Sequence, residues 1–233
     1  MALAFVTGGS RGLGFETAKA LKLAGHQVVL FARNTEKLVN AGKELSSPIE
    51  FVELSDIAST RKVFADAVEK YGVPDILMLA HGVMSDRMAK TLKTNDEEWR
   101  RVMTINLDSV FTIVNEVGSK MADARKGRVI VYSACLGRMS GPGNAGGLAP
   151  YRISKAGVNA LVRNLAHETG FGARGFWIDA ICPNHSRTDM GGESAPRSAE
   201  EGAATAVWLA TRELVPGTTQ TGLLWEDNEV VPW

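Results

Sequence analysis

The chain has 233 residues, of which 45% are hydrophobic and 22% are charged. This balance fits one globular domain, residues 1–233, with a sizeable core, and it excludes an intrinsically disordered chain. The 26 basic and 26 acidic side chains cancel, so no net field gathers nucleic acid or an anionic membrane. No apolar run approaches the ~20 residues that span a bilayer, and the one after Met1 is too short for a signal peptide. We therefore expect a cytoplasmic protein that acts on a small molecule.

The two cysteines, Cys135 and Cys182, have no partners at metal-like spacing. That usage favours a reducing compartment and argues against a disulfide framework or a zinc site. We expect both to be ordinary packing residues, and we expect no metal site.

Short apolar runs alternate along the chain with longer amphipathic stretches. The predicted strands are 3–6, 28–32, 51–54, 76–80, 129–133, 177–181 and 223–225. The predicted helices are 13–24, 35–45, 60–71, 96–121, 151–169 and 199–211. Uniformly apolar strands are buried on both faces. The alternation therefore predicts an α/β fold, a doubly wound, seven-stranded parallel sheet with helices on both faces.

Two predicted helices carry start signals. Asn34 or Thr35 is expected to cap the second helix, and Ser198 with Glu201 predicts a capping box before the last one.

Two segments, 136–150 and 184–197, fit neither a strand nor a helix, and the first holds five glycines. Loops that leave the carboxyl ends of parallel strands line the ligand crevice of an open sheet. Three methionines lie in or near such loops: Met84, Met139 and Met190. They either form an adaptable apolar substrate pocket or are ordinary packing residues.

A glycine-rich turn, Thr-Gly-Gly-Ser-Arg-Gly-Leu-Gly over residues 7–14, joins the first strand to the first helix. Gly8 permits a sharp turn, Gly12 lets the backbone approach a pyrophosphate, and Gly14 lets the helix pack closely on the strand. A glycine triplet is weak evidence alone, but the strand–turn–helix–strand context predicts a dinucleotide site. The residues expected to line it are Gly8, Ser10, Arg11, Gly12, Leu13 and Gly14.

The end of the second strand bears on which dinucleotide binds. A carboxylate there would hold the ribose 2′-hydroxyl of NAD, but the strand ends in Arg33 and no carboxylate occurs before Glu36. Arg33 and Arg11 can each donate two hydrogen bonds to a 2′-phosphate, which favours NADP(H) over NAD(H). The alternative is that both are solvated surface charges. Asp56 could accept from the adenine amino group or cap a helix.

Tyr151 and Lys155 are four residues apart at the start of a predicted helix and therefore lie on one face. A nearby cation favours phenolate and lowers the tyrosine pKa, which makes the phenol a usable general acid or base. The spacing alone arises too easily by chance to be decisive, and the glycine turn upstream is what supports it.

With these motifs the sequence resembles the short-chain dehydrogenase/reductase family over essentially the whole chain, and carbonyl-reductase-type members most closely. The family pattern T-G-x-x-x-G-x-G matches residues 7–14, and Y-x-x-x-K matches Tyr151 and Lys155. The helix asparagine of the family matches Asn106, and its P-G-x-x-x-T segment is similar to residues 183–188.

The resemblance implies a Rossmann-type fold and reversible reduction of a ketone or aldehyde, with hydride from the nicotinamide and a proton from Tyr151. Lys155 would bind the nicotinamide ribose and lower the Tyr151 pKa, and Asn106 would hold a water that relays protons. The segment that begins at Pro183 would lie near the nicotinamide, and Thr188 would contact the carboxamide or phosphate side of the cofactor. The substrate does not follow from the fold.

The family serine is displaced in this sequence. It stands three residues before a glycine, and counting back from Gly137 gives Ala134, with Ser133 one step earlier. One residue along a strand turns a side chain to the opposite face. Either the strand end bulges so that Ser133 reaches the site, which we favour, or the site works without this hydroxyl.

The family run N-N-A-G is also changed, to Leu79-Ala80-His81-Gly82, so only Gly82 is kept. His81 either contacts the cofactor ribose or satisfies a local backbone group, and we favour the structural role. After Pro183, Asn184 replaces a glycine, and asparagine tolerates a left-handed turn.

These departures leave a second function open, a catalytically weak NADP-binding sensor or regulatory protein. Cofactor-free chemistry such as halohydrin dehalogenation is disfavoured because Gly12 and Lys155 are both present. The resemblance also implies a homodimer or homotetramer that packs through helices 96–121 and 151–169.

Overall fold

One sheet organises the computed structural model, which describes residues 1–33, 35–86, 89–141 and 145–233. Its strands are β1 Leu3–Thr7, β2 Gln27–Ala32, β3 Ile49–Phe51, β4 Ile76–Leu79, β5 Arg128–Tyr132, β6 Trp177–Ile181, β7 Leu224–Glu226 and β8 Glu229–Val231. Their order is β3-β2-β1-β4-β5-β6-β7-β8. Strands β1 to β7 are parallel, as predicted. The doubly wound α/β fold of the Rossmann type is confirmed.

The predicted count of seven strands is wrong by one, because β8 adds an antiparallel strand to β7. The turn between them contains Asp227 and Asn228, both with positive φ, at 53° and 63°. Turns of this kind match the twist of two antiparallel strands, and Asp and Asn adopt them readily. The short Glu-Val-Val run of β8 gives little periodicity from which to predict a strand.

The helices cover both faces of the sheet. They are α1 Gly12–Leu23, α2 Glu36–Glu44, α3 Ile57–Tyr71, α4 Asp96–Met103, α5 Ser109–Ile113, α6 Ser119–Asp123, α7 Ala149–Glu168 and α8 Ala199–Thr211. Among the described elements, short 3-10 turns occur at Thr91–Lys93 and Cys135–Gly137. No helix among the described residues is long and apolar enough to cross a membrane.

The predicted helix over 96–121 is divided. Between α4 and α5 lies a π-helical turn, Thr104–Asp108, and between α5 and α6 lies another, Val114–Gly118. Such turns are uncommon and frequently mark functional sites. The first one contains Asn106.

The helix starts follow the sequence signals in part. Ser198 and Glu201 form the predicted capping box, each side chain accepting from the other residue's backbone. Thr35 occupies the N-cap of α2, but its side chain makes no capping hydrogen bond. The other candidate, Asn34, lies outside the described residues.

Alternation along the strands divides the core into two layers. In β1, Phe5 packs with α3, α5 and α7, whereas Ala4 and Val6 pack with α1, α2 and α8 on the other face. The rings of Phe31 and Phe64 stack with centroids 4.5 Å apart in the first layer. These layers hold the sheet rigid, so its carboxyl edge presents the following loops in a fixed arrangement.

Candidate active site

A cavity of about 430 Å³ opens at the carboxyl edge of the sheet, near β1 and β4. Between these two neighbouring strands the strand order switches, because successive strands are added on one side of β1 up to β3 and on the other side from β4 onward. Ligands of open α/β sheets bind at such a point. The predicted site residues that line this cavity are Leu13, His81, Gly82, Ser133, Tyr151, Lys155, Pro183 and Thr188. The structure therefore brings together residues from the whole length of the chain.

The glycine turn is shaped for a diphosphate. Gly8 has φ +65°, which permits the sharp turn after β1. A methyl group on Gly14 would lie 2.4 Å from the Gly8 carbonyl oxygen, so only glycine lets α1 pack this closely. Arg11 is the N-cap of α1, and its side chain makes no capping hydrogen bond. The first amides of the helix, from Gly12, are thus available to an anion, and the residues present fit a dinucleotide pyrophosphate.

Tyr151 and Lys155 lie on the first turns of α7 and are only 6% and 4% exposed. Lys155 Nζ donates a 2.6 Å hydrogen bond to the Tyr132 carbonyl oxygen at the end of β5. The same ammonium lies 5.9 Å from the centre of the Tyr151 ring. Both side chains line the cavity, as the spacing of the two residues suggests.

Burial controls the protonation of this pair. Desolvation raises the pKa of Tyr151 above its ordinary value, and the thiols of Cys135 and Cys182 add to that shift. Burial lowers the pKa of Lys155 to about 8. The lowering of the Tyr151 pKa that we expected from Lys155 is not found, because desolvation is the main influence on the phenol and it raises the pKa. Tyr151 keeps its proton and is poised as an acid.

Asn106 joins the loop after β4 to helix α7. Its side chain accepts from Val83 N at 2.8 Å and donates to Val83 O at 2.9 Å and to Ser154 Oγ at 3.1 Å. A methyl group on Gly82 would lie 3.4 Å from Asn106 Oδ1 and 3.5 Å from Lys155 Nζ. The asparagine thus fixes the segment that borders Lys155, and its holding of a relay water stays a prediction.

Ser133 lines the cavity, but its hydroxyl is bonded to a buried side chain of α7. Its Oγ donates to Asn159 Oδ1 at 2.5 Å, and its backbone N–H continues the β5–β6 ladder by donating to Ile181 O at 2.8 Å. The bulge that we expected is therefore not seen at this strand end. Ala134 stands where the family serine would be, so its methyl group lines the cavity instead of a hydroxyl.

His81 connects three elements. Its Nδ1 lies 2.6 Å from Thr7 Oγ1, and its Nε2 lies 2.9 Å from Ser109 Oγ. Since Ser109 Oγ donates to Ile105 O, it accepts from Nε2–H, and Nδ1 accepts from the threonine hydroxyl. Burial, with the charge of Lys155 adding, lowers the pKa of His81 to about 3. These bonds support the structural role favoured from the sequence.

The mouth of the crevice carries a cluster of cations. Asp189 forms ion pairs with Arg11 and, at 3.3 Å, with Lys37 at the start of α2. Arg33 is exposed at the end of β2. Lys37 was not among the residues predicted to bind the cofactor, although its position in the first turn of α2, shortly after β2, was a usable signal.

The remaining predicted residues take up separate positions. Asp56 caps α3 by accepting from Ser59 N at 2.9 Å, the second of the two roles considered for it. Thr188 lies over the glycine turn, since a methyl group on Gly12 would be 3.2 Å from its Cγ2. Asn184 has φ +57°, the left-handed turn expected there. Ser10 belongs to the turn before α1.

Comparisons with known proteins agree with this geometry. The family model for short chain dehydrogenase matches residues 2–199. The 3-oxoacyl-[acyl-carrier-protein] reductase FabG of Rickettsia prowazekii (strain Madrid E) is 31% identical over 185 residues, covering 79% of this chain and 73% of the relative. The FabG of Escherichia coli (strain K12) is 31% identical over 194 residues, covering 81% and 75%.

Among solved structures, a blue fluorescent protein from a metagenomic library in complex with NADPH superimposes with a TM-score of 0.82. It is 22% identical, and the match covers 95% of this chain and 94% of that one, which shows the shared fold. The chain belongs to the short-chain dehydrogenase family, whose members are oxidoreductases that bind a nicotinamide cofactor.

We expect the substitution His81→Ala to lower the free energy of unfolding by about 1–3 kcal/mol at pH 7, because it leaves the buried hydroxyls of Thr7 and Ser109 without their shared partner. The control is Lys43→Ala, at an exposed position on α2, which should change stability by less than about 0.5 kcal/mol. Urea denaturation monitored by circular dichroism measures both.

Comparison of wild type with His81→Ala also tests whether the His81 ring is neutral in the folded protein. Because the folded-state pKa of His81 is about 3, below the ordinary histidine value of 6.5, the unfolded chain binds one more proton than the folded chain as pH falls. Wild-type stability relative to His81→Ala should thus fall by about 1.4 kcal/mol per unit below pH 6.5. Burial raises the pKa of Asp179 to about 7, so this residue gives the stability a pH dependence of the opposite sign. That contribution is common to wild type and variant and cancels when their free energies of unfolding are subtracted. A difference independent of pH between 6.5 and 5 would show that His81 is not held neutral.

Proposed function

We propose that residues 1–233 form one cofactor-binding and catalytic domain that reduces a ketone or an aldehyde to an alcohol, reversibly, with NADPH. The observation that carries this proposal is the placement of the Tyr151 phenol, buried beside Lys155 in the wall of a cavity that the residues of the glycine turn also line. A carbonyl group that accepts a hydride at carbon needs a proton at oxygen, and this phenol can supply it.

Each residue of the site has a separate role in the proposed reaction. The amides at the start of α1 would hold the pyrophosphate, and Lys155 and Thr188 would hold the nicotinamide end. NADPH, when bound, supplies the hydride. Tyr151 orients the substrate oxygen by hydrogen bonding and transfers its proton to it. Lys155, with a pKa of about 8, can exchange a proton with the surroundings near neutral pH and so help to restore the phenol.

The cavity favours an apolar carbonyl substrate. Met84, Leu136 and Met190 contribute to its wall, and methionine side chains adapt to ligands of different shape. The relatives from Rickettsia prowazekii and Escherichia coli are named as reductases of a 3-oxoacyl group, which is a ketone. We therefore propose a ketone as the substrate class, with an aldehyde as the alternative.

The absent hydroxyl at Ala134 supports a second candidate, a cofactor-binding sensor with weak turnover. Without that hydroxyl the substrate oxygen receives one hydrogen bond fewer, and removal of one such donor slows related reactions by about 10²–10³-fold. Tyr151 and Lys155 remain in place in the cavity wall, which is why reduction is the first proposal.

Turnover distinguishes the two candidates. NADPH oxidation should occur with a panel of ketones, and Tyr151→Phe should lower kcat by about 10²–10⁴-fold because the acid is lost. NADPH binding by fluorescence titration should change little. The control Tyr71→Phe removes a hydroxyl that lies far from the cavity and bonds Glu50, so activity should be retained. Binding of NADPH without turnover on any carbonyl would instead support the sensor.

NADP(H) over NAD(H) is proposed from the cations near the crevice mouth: Arg11 and Lys37, which both pair with Asp189, and the exposed Arg33 at the end of β2. Arg33→Asp should weaken NADPH binding by at least about tenfold and leave NADH binding nearly unchanged, since only NADPH carries the 2′-phosphate. Lys43→Asp, at the other end of α2, makes the same charge change as a control. Equal weakening of both cofactors by Arg33→Asp would contradict the assignment. Calorimetric titration of wild type and both variants with each cofactor gives all six affinities.

A homodimer or homotetramer is proposed from the exposed apolar side chains of the helices implicated by the resemblance. Phe111 on α5 is 52% exposed and Ile153 on α7 is 41% exposed. Phe111→Glu should shift the protein to a smaller species in sedimentation velocity, because it places a charge in the contact. Phe51→Glu, at a 44% exposed position on edge strand β3, serves as the control and should leave the assembly unchanged. A wild-type protein that sediments as a monomer would overturn this proposal.

A further inference from the structure

His81 lies where the glycine turn, the end of β4 and the helical segment after α4 meet. A methyl group on Gly8 would lie 2.9 Å from the Ala80 carbonyl oxygen and 3.2 Å from the His81 Cα, so the sharp turn after β1 packs on the backbone that carries the histidine. The ring of His81 reaches Thr7 Oγ1 on one side and Ser109 Oγ on the other. The side chain therefore connects the start of the dinucleotide site to a helical segment outside the sheet.

Ser109 closes the first π turn, Thr104–Asp108. Its backbone N–H donates to Thr104 O, five residues back, and its hydroxyl donates to Ile105 O at 2.7 Å. Because His81 Nε2–H donates to the same hydroxyl at 2.9 Å, the histidine holds the residue at which this turn ends. Ser109 is fully buried, which makes the loss of this partner costly.

The first π turn is in contact with the helix that carries the proton donor. The turn contains Asn106, whose amide donates to Ser154 Oγ at 3.1 Å, and Ser154 Oγ donates to Tyr151 O at 2.7 Å. A methyl group on Gly157 would lie 2.7 Å from Cδ2 of Leu107, so α7 packs directly against the turn. A displacement of the turn is therefore transmitted to the first turns of α7, where the phenol and the ammonium of the site lie.

The two partners of the histidine are held differently by the rest of the protein. Strand β1 lies between β2 and β4, and Thr7 pairs with Phe31 on one side and Leu79 on the other. The first π turn lies outside the sheet, so side-chain hydrogen bonds and helix packing decide its position. Loss of the His81 ring should therefore move the π turn more than it moves β1 and the glycine turn.

We propose that His81 is a positioning residue, which acts through Ser109 and the first π turn to place Tyr151 and Lys155 relative to the glycine turn. A proton donor displaced by about 1 Å from its substrate oxygen can lose about 10²-fold in rate. The inference rests on the proposed function, since a defect in proton donation is seen only in carbonyl reduction. The placement of the pair itself can be measured without turnover.

The kinetic experiment compares carbonyl reduction with NADPH by wild type, His81→Ala, Ser109→Ala and the double variant. Each single variant should lower kcat at least about tenfold and leave the Kd of NADPH, from fluorescence titration, within about threefold. The kcat of the double variant should lie within about threefold of the slower single variant, because both changes break the same link. A merely structural role would not separate kcat from cofactor affinity in this way.

The control is Thr221→Val, which removes a buried hydroxyl far from the carboxyl edge of the sheet. Thr221 is 4% exposed, and its Oγ1 accepts from Ile178 N and donates to Ile178 O, both at 2.9 Å, near the start of β6. This variant should be destabilised to a degree similar to Ser109→Ala, because each loses a buried hydroxyl. Its kcat should stay within about twofold of wild type, because β6 is not part of the link.

Hydrogen–deuterium exchange of the folded proteins, measured by mass spectrometry, tests the link without substrate. Exchange should increase in His81→Ala and in Ser109→Ala over residues 104–109 and 151–159, and it should not increase there in Thr221→Val. If wild type reduces no carbonyl compound, the function proposed above fails and this exchange pattern alone decides the role of His81.

Three outcomes would overturn the positioning role: exchange that rises only over residues 76–86 in His81→Ala, losses of kcat that multiply in the double variant, or a kcat of His81→Ala within threefold of wild type. Ser109→Ala is the smaller change, and its kcat and exchange decide if His81→Ala does not fold.

Discussion

The buried hydrogen bond from the Lys155 ammonium to the Tyr132 carbonyl oxygen determines the geometry of this site. It joins the first turns of α7 to the end of β5, and Lys155 is only 4% exposed. A buried charge is costly, and that cost appears as a pKa lowered to about 8. In return the bond fixes the phenol of Tyr151 in the cavity wall. Burial of the phenol then keeps its proton in place, which suits a group that donates to a carbonyl oxygen.

Around this contact the chain replaces family features with different side chains. The neutral ring of His81 joins Thr7 to Ser109, and so ties β1 to the helical segment that also carries Asn106. The hydroxyl of Ser133 bonds Asn159 in the interior rather than facing a substrate. The site thus keeps the buried phenol of Tyr151 and has Ala134 at the position of the family serine. This combination fits the reductase that we propose, with one hydrogen bond fewer on the substrate oxygen.

Much of this could be predicted from the sequence, because alternating apolar runs and a glycine-rich turn are local signals. The β8 strand and the π turn at Thr104–Asp108 could not, since neither has a distinct residue pattern. The effect of burial on the Tyr151 pKa also depends on distant segments that pack over the ring.

The central claim is that the crevice aligns a nicotinamide with a carbonyl carbon next to the Tyr151 phenol. Deuterium transfer tests it most directly: the protein is incubated with a reactive ketone and NADPH deuterated at the transferring carbon, and the alcohol is analysed by mass spectrometry. Our account predicts one deuterium on the carbinol carbon, from one face of the nicotinamide only. Alcohol that carries no deuterium from either face of the cofactor would contradict direct hydride transfer, and with it the assignment of this cavity.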